Sequence, residues 1–186
     1  MSFIQGIDIQ ILNFIQEAMK SSTMDTVMQI ITLLGNWGFI WIVITVLLLV
    51  SKNYKISGLK LLLALLMCTV LGSVILKPLI ARPRPFTLDS SVSLLIATPS
   101  DFSFPSGHAM SAFAAATIIF FTDHKYGLFA FILAVLMAFS RLYLYVHYPS
   151  DVICGAIMGV LVALLAKYIV DCSTPNRIKR KKHYKR

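Results

Sequence analysis

The stretch TVMQIITLLGNWGFIWIVITVLLLVS, residues 26–51, contains no charged side chain. As one helix it would reach about 39 Å, more than the roughly 30 Å hydrocarbon core of a bilayer. A run of this kind points to a chain that lives in a membrane. Within it, "GNWG" at 35–38 is a helix breaker, and Trp37 and Trp41 suit a membrane–water interface. The pattern predicts a short helix to about residue 34 and a clear span over 36–51.

On the C-terminal side, "SKNYK" (51–55) reads as a basic loop and residues 56–77 as a second span closing at Lys77. Residues 78–104 read as a loop, because Pro78, Pro83, Pro85 and Pro99 break any helix there. Within that loop "LLIA" (94–97) is apolar enough to dip into lipid. Three further spans are expected at 106–122, 126–146 and 150–170. On the N-terminal side, Phe3, Ile7, Ile11, Leu12, Phe14, Ile15 and Met19 recur at helical spacing, with Asp8, Gln10, Glu17 and Lys20 on the other faces. This predicts an amphipathic helix over 4–20, lying in the interface or packed on the bundle. The N-terminus lacks a basic region followed by a small-residue cleavage site, so no cleaved leader is expected.

Composition agrees. Across 186 residues, 58% are hydrophobic and 13% charged, against roughly 45–50% and about 25% in water-soluble domains. The expected fold class is therefore all-α: a polytopic membrane bundle of five or six transmembrane helices with an N-terminal amphipathic helix. One membrane domain is expected over 1–171, followed by a basic tail over 172–186. That tail holds much of the +9 net charge. In a membrane chain it reads as a cytoplasmic segment near anionic headgroups, not as a nucleic-acid arm. With the tail inside, "SKNYK" and the "DHK" turn at 123–125 also fall inside. Cys68, Cys154 and Cys172 show no pairing or metal spacing and read as small apolar fillers.

This topology sends one set of polar residues to the outer face: Lys77, Arg82 and Arg84; Ser106, Gly107 and His108 of "SFPSGHAMSAF" (103–113); and Arg141, His147 and Asp151. Ionisable groups at membrane depth are costly and usually functional. Lysine and arginine suit a phosphate, arginine in bidentate fashion. The Pro-Ser-Gly turn opens a helix and offers backbone N–H groups to an anion. Of two histidines, one could attack phosphorus and the other protonate the leaving oxygen. Asp151, four residues after His147, could orient it. Each residue alone has a plainer reading: Lys77 snorkelling, Ser106 as a helix N-cap, a histidine packed at a helix end. Gathered on one face, they are hard to explain as packing. A serine hydrolase using Ser106, His147 and Asp151 would leave the three cations without work. A lipid transporter or binder would leave the histidine–carboxylate set without work.

The blocks "KPLIARPRP" (77–85), "PSGH" (105–108) and "SRLYLYVHYPSD" (140–151) resemble the three-part signature of the type 2 phosphatidic acid phosphatase superfamily. All three are complete and in order. The resemblance implies an integral membrane lipid phosphatase working through a phosphohistidine. Lys77, Arg84, Ser106, Gly107 and Arg141 would bind phosphate, His147 would be the nucleophile, His108 the general acid and Asp151 the orienting carboxylate. Arg82 would be at most an auxiliary contact, and Ser140 structural. No metal or other cofactor is implied. The partner would be a phosphorylated lipid presented by the bilayer, with no nucleic acid. The chain resembles bacterial undecaprenyl-diphosphate and phosphatidylglycerophosphate phosphatases. That implies a multi-pass protein of the cell membrane with its site facing outside and its C-terminus in the cytoplasm.

Overall fold

The computed structural model describes residues 3–89 and 92–174, and among them there are helices and no strands. The expectation for the basic tail falls largely on 175–186, outside the described residues. Helix α1, Phe3–Met19, follows its apolar periodicity. It seats Asp8, Leu12 and Ile15 against the protein and leaves Phe3, Ile4, Ile11 and Phe14 exposed. Its polar side chains reach the bundle: Gln16 Nε2 donates to the Tyr143 carbonyl at 2.7 Å and Tyr145 Oη to Asn13 at 3.1 Å. The helix is thus packed on the bundle through a partly polar face, with apolar residues turned outward.

Ser21 caps α2, Ser22–Gly35, by accepting from the Met24 amide. Asn36–Gly38 then form a single tight turn before α3, Phe39–Val50. Trp37 and Gly38 both have left-handed backbone there, at φ 56° and 68°. The expected break is present, but the expected clear span over 36–51 is shorter. The 12 residues of α3 cover about 18 Å, and only the whole bent stretch Ser22–Val50 has the length to cross. The two tryptophans also part company: Trp37 is 96% exposed beside the turn, whereas Trp41 is buried in the core.

Helix α4, Lys55–Cys68, widens into π-type turns over Thr69–Leu76 and continues as α5, Lys77–Ile80. The expected end at Lys77 is therefore overrun. Pro78 falls in the first turn after the change of pitch, where a missing N–H costs little. Ala81, left-handed at φ 48°, ends it. A further turn, α6 (Pro85–Leu88), interrupts the expected loop. "LLIA" packs against the bundle on one side. Leu94, Leu95 and Ile96 pack with Met28, Tyr143, Leu144 and Val146.

The centre of the bundle is α7, Gly107–Thr122, packed between α8, His124–Tyr143, and α9, Pro149–Ser173. Asp123 caps α8 with bonds from the Lys125 and Tyr126 amides, so that helix starts two residues earlier than expected. It ends at Tyr143 because Tyr145 turns left-handed. Buried alanines 109, 112, 114, 115 and 116 face neighbours closely. On α9, Gly155 and Gly159 let α7 approach: a Cβ on Gly159 would sit 2.2 Å from the Met110 carbonyl oxygen. Four segments among the described residues are long and apolar enough to cross a membrane: Ser22–Val50, Lys55–Leu88, His124–Tyr143 and Pro149–Ser173. Gly107–Thr122 is a shorter apolar helix. At the bundle end away from residue 77, Asp171 is bridged by Lys60 at 2.5 Å and Lys167 at 3.0 Å. The three cysteines are free, Cys68 buried and Cys172 exposed.

Candidate active site

At the other end of the bundle a cavity of about 730 Å³ is lined by Lys77, Arg84, Gly107, His108, Arg141 and His147. The rest of its wall comes from α2, the turn at Asn36–Trp37 and the 95–101 segment. Six of the sequence-predicted site residues therefore meet in one space, although they come from three separate blocks of the chain, 77–84, 107–108 and 141–147. Lys77 arrives there at the end of the π-type stretch. Each residue added to a helix advances its successors by about 100°, and Lys77 emerges buried.

Arg84 is held from several sides. Its Nη1 donates to the Val146 carbonyl at 2.6 Å and lies 3.2 Å from His147 Nε2. Its Nε donates to the Asp101 carbonyl at 2.7 Å, and its Nη2 to the Asp101 carboxylate at 2.5 Å. The other oxygen of Asp101 accepts from Lys77 Nζ. Asp101 thus spans two of the three cations. Burial opposes its charge, but Lys77 and Arg84 outweigh that and hold its carboxyl down at about 2. Arg141, in the last turn of α8, donates to Thr32 Oγ1. Its buried Nε has no partner among the described residues.

His147 is 2% exposed and lies in the short connection from α8 to α9. Nε2 is on the Arg84 side, while Nδ1 is 3.6 Å from Asp151 Oδ2. Ser103 Oγ donates to that same carboxylate oxygen at 2.5 Å and sits 3.5 Å from Nδ1. The Tyr148 amide completes the hold on Asp151 at 3.0 Å. Burial, together with Arg84 and Arg141, outweighs Asp151 and pushes the imidazole down to about 3, so it is neutral above about pH 4.

His108 opens α7, with Nε2 at 3.1 Å from Asn36 Oδ1. Gly35 makes room for the ring, since a Cβ there would lie 2.6 Å from His108 Cδ2. Gly107 borders the cavity, and a Cβ on it would meet no protein atom. Ser106 is fully buried as the α7 cap and does not line the cavity, which leaves a serine nucleophile there without access. Asp151 lies behind His147, also off the cavity wall. Ser140 bonds the Met137 carbonyl within its own helix. Among the described residues, no group of three or more His, Cys, Asp or Glu side chains is placed to hold a metal ion.

Sequence reasoning missed Asp101, Ser103 and Asn36. Asp101 and Ser103 stand close before "PSGH", and their short polar side chains in a proline-broken loop were the available signal. Asn36 lies inside the "GNWG" breaker, a pattern that marks the turn and gives no sign of the side chain's partner.

The fold and this cavity define a membrane protein that gathers three cationic side chains beside a neutral histidine. The chain belongs to the PAP2 superfamily, the type 2 phosphatidic acid phosphatases, whose profile matches residues 57–174. It is a multi-pass membrane phosphatase of that family. An undecaprenyl-diphosphatase of Sulfolobus acidocaldarius is 34% identical over 143 residues, covering 76% of this chain and 69% of that one. The crystal structure of Aquifex aeolicus LpxE superposes with a TM-score of 0.76 at 28% identity, covering 89% of this chain and 98% of that one. A phosphatidylglycerolphosphate phosphatase from Bacillus subtilis also superposes at 0.76, with 30% identity and coverages of 91% and 87%.

Proposed function

We propose that this phosphatase hydrolyses a lipid diphosphate at the outer face of the membrane, with undecaprenyl diphosphate as its preferred substrate. The observation that carries the mechanism is the placing of His147, with Nε2 3.2 Å from Arg84 on the cavity side and Nδ1 backed by Asp151. Lys77, Arg84 and Arg141 hold the terminal phosphate, with the Gly107 amide at the α7 N-terminus. Ser106 contributes by capping the turn that presents that amide. Nε2 of His147 forms a bond to phosphorus as the bond from phosphorus to the leaving oxygen breaks, and His108, entering this step as the imidazolium, gives that oxygen a proton and is left neutral. Asp151 stabilises the cationic ring of the phosphohistidine. Water then attacks phosphorus, the N–P bond breaks, and His108 takes the water's proton. No metal takes part in this scheme. The membrane domain covers 1–171, and the C-terminal tail is cytoplasmic.

The undecaprenyl-diphosphatase relative supports the diphosphate reading. A second reading, phosphatidylglycerophosphate or phosphatidate as substrate, is supported by the Bacillus subtilis neighbour. The test is phosphate release by the purified protein in detergent with EDTA, offering undecaprenyl diphosphate, phosphatidylglycerophosphate and phosphatidate side by side. Wild type should turn over one lipid fastest, and His147→Ala should lose at least about a thousandfold in rate. Turnover surviving in His147→Ala would reject the phosphohistidine. No release from any lipid, with lipid binding retained, would favour a binder or transporter.

A further inference from the structure

Arg82 stands two residues before Arg84, yet it does not reach the cavity. It lies behind it, 20% exposed, between α1 and the first turn of α9. Its Nη1 donates to Asp151 Oδ1 at 2.6 Å and to Ser150 Oγ at 2.7 Å, and its Nη2 to Asp8 Oδ2 at 2.7 Å. Its guanidinium carbon sits 3.9 Å over the Tyr148 ring. Asp8, on α1, is 2% exposed and also accepts from the Ser150 amide at 2.9 Å and from Ser150 Oγ at 2.6 Å.

Packing alone does not call for this arrangement. Leu12 and Ile15 already seat α1 on the bundle, and burying a carboxylate is costly unless it is paired and hydrogen-bonded. What the arrangement does is settle Asp151. One oxygen of that fully buried carboxylate is claimed by Arg82, and the other by Ser103, the Tyr148 amide and, at longer range, His147. Without Arg82 the carboxylate is held through one oxygen alone, and its plane can tilt about that oxygen. The 3.6 Å contact of Oδ2 with Nδ1 then loses its fixed direction.

We infer that Asp8 and Arg82 are positioning residues of the reaction, forming a chain from α1 through Asp151 to His147, so that the N-terminal helix belongs to the catalytic unit. Asp8 lies outside the segment that matches the family, residues 57–174. The inference rests on the phosphatase reading above, with His147 as nucleophile. Asp8 keeps Arg82 extended between two carboxylates, and Arg82 keeps Asp151 aimed.

The test uses the purified full chain and its best lipid substrate. The variants are Asp8→Asn, Arg82→Gln and Arg82→Lys, with Leu12→Ala as a packing control on the same face of α1. Asp8→Asn and Arg82→Gln should lower kcat by about tenfold or more, as a small misplacement of a reacting group does. KM and inhibition by inorganic phosphate should stay within about twofold, because the cavity cations are untouched. Arg82→Lys should restore part of kcat. Leu12→Ala should lower the unfolding temperature and leave kcat near wild type. The Nδ1–H proton resonance of His147 should move in Asp8→Asn and Arg82→Gln but not in Leu12→Ala. An unchanged kcat and resonance in Asp8→Asn, or an equal kcat loss in Leu12→Ala, would overturn the inference. If the wild type releases no phosphate, the phosphatase reading fails, and the resonance still decides whether Asp8 and Arg82 set the histidine–carboxylate contact.

Discussion

Asp101 links Lys77 and Arg84, two of the cations proposed to bind phosphate. Its carboxylate therefore competes with an incoming anion for the same donors, from a side chain that is half-exposed. Asp101→Asn should tighten inhibition by inorganic phosphate or vanadate by about three- to tenfold, the range for a charge-assisted contact partly screened by solvent. With its carboxyl held at about 2 rather than the usual 3.8, the charge and its contacts are present above about pH 4. They are lost only as pH falls toward 2. The gain in Asp101→Asn should accordingly be level from pH 5 to 9, as read by inhibition constants across that range. A gain that fades toward pH 5 would mean that the carboxylate titrates much higher. Weaker inhibition in the variant would mean that Asp101 shapes the cation pair instead of opposing the substrate.

At the level of elements, the site depends on how closely α7 and α9 approach. α7 carries Gly107 and His108 at its start, and α9 carries Asp151 in its first turn. Between them, Gly159 faces the Met110 carbonyl and Gly155 the Ser106 carbonyl with no space for a side chain. Lipid tails are as apolar as leucine, so helices in a bilayer are held by close packing rather than by hydrophobic exclusion. Gly159→Leu should push the pair apart, costing about 1–3 kcal/mol of stability and displacing the α7 N-terminus from Asp151. Thermal unfolding in detergent, with phosphate release as the second readout, checks this. Ile157→Leu, on the exposed side of the same helix, should change neither. A Gly159→Leu protein as stable and active as wild type would show that the interface can part without cost.

Across the whole molecule, the two ends differ in chemistry. The cavity gathers Lys77, Arg84 and Arg141 with two histidines, while the opposite end carries the Lys60–Asp171–Lys167 cluster. The proposed orientation puts the cavity outside. A single cysteine introduced as Thr98→Cys, in a chain whose own cysteines are replaced, should react with a membrane-impermeant maleimide on intact cells. Native Cys172, kept alone, should react only after permeabilisation. The reverse pattern would turn the molecule over. The charge-free runs alone made the membrane class legible, because a charge left in hydrocarbon is too costly to be scattered at random. The three polar blocks were legible too, since each is a local pattern around one helix end. What only the tertiary structure decided is which distant groups serve them: Asp101 on the cations, Ser103 beside Asp151, Asn36 against His108 across 72 positions, and Asp8 on Arg82 across 74. It also decided that Trp41 is core, and that "LLIA" packs against the bundle on one side. Hydrophobicity along a chain says which residues avoid water, but in a bilayer both the lipid and the protein interior satisfy that demand. Only the meeting of particular helix faces settles which polar group finds which partner.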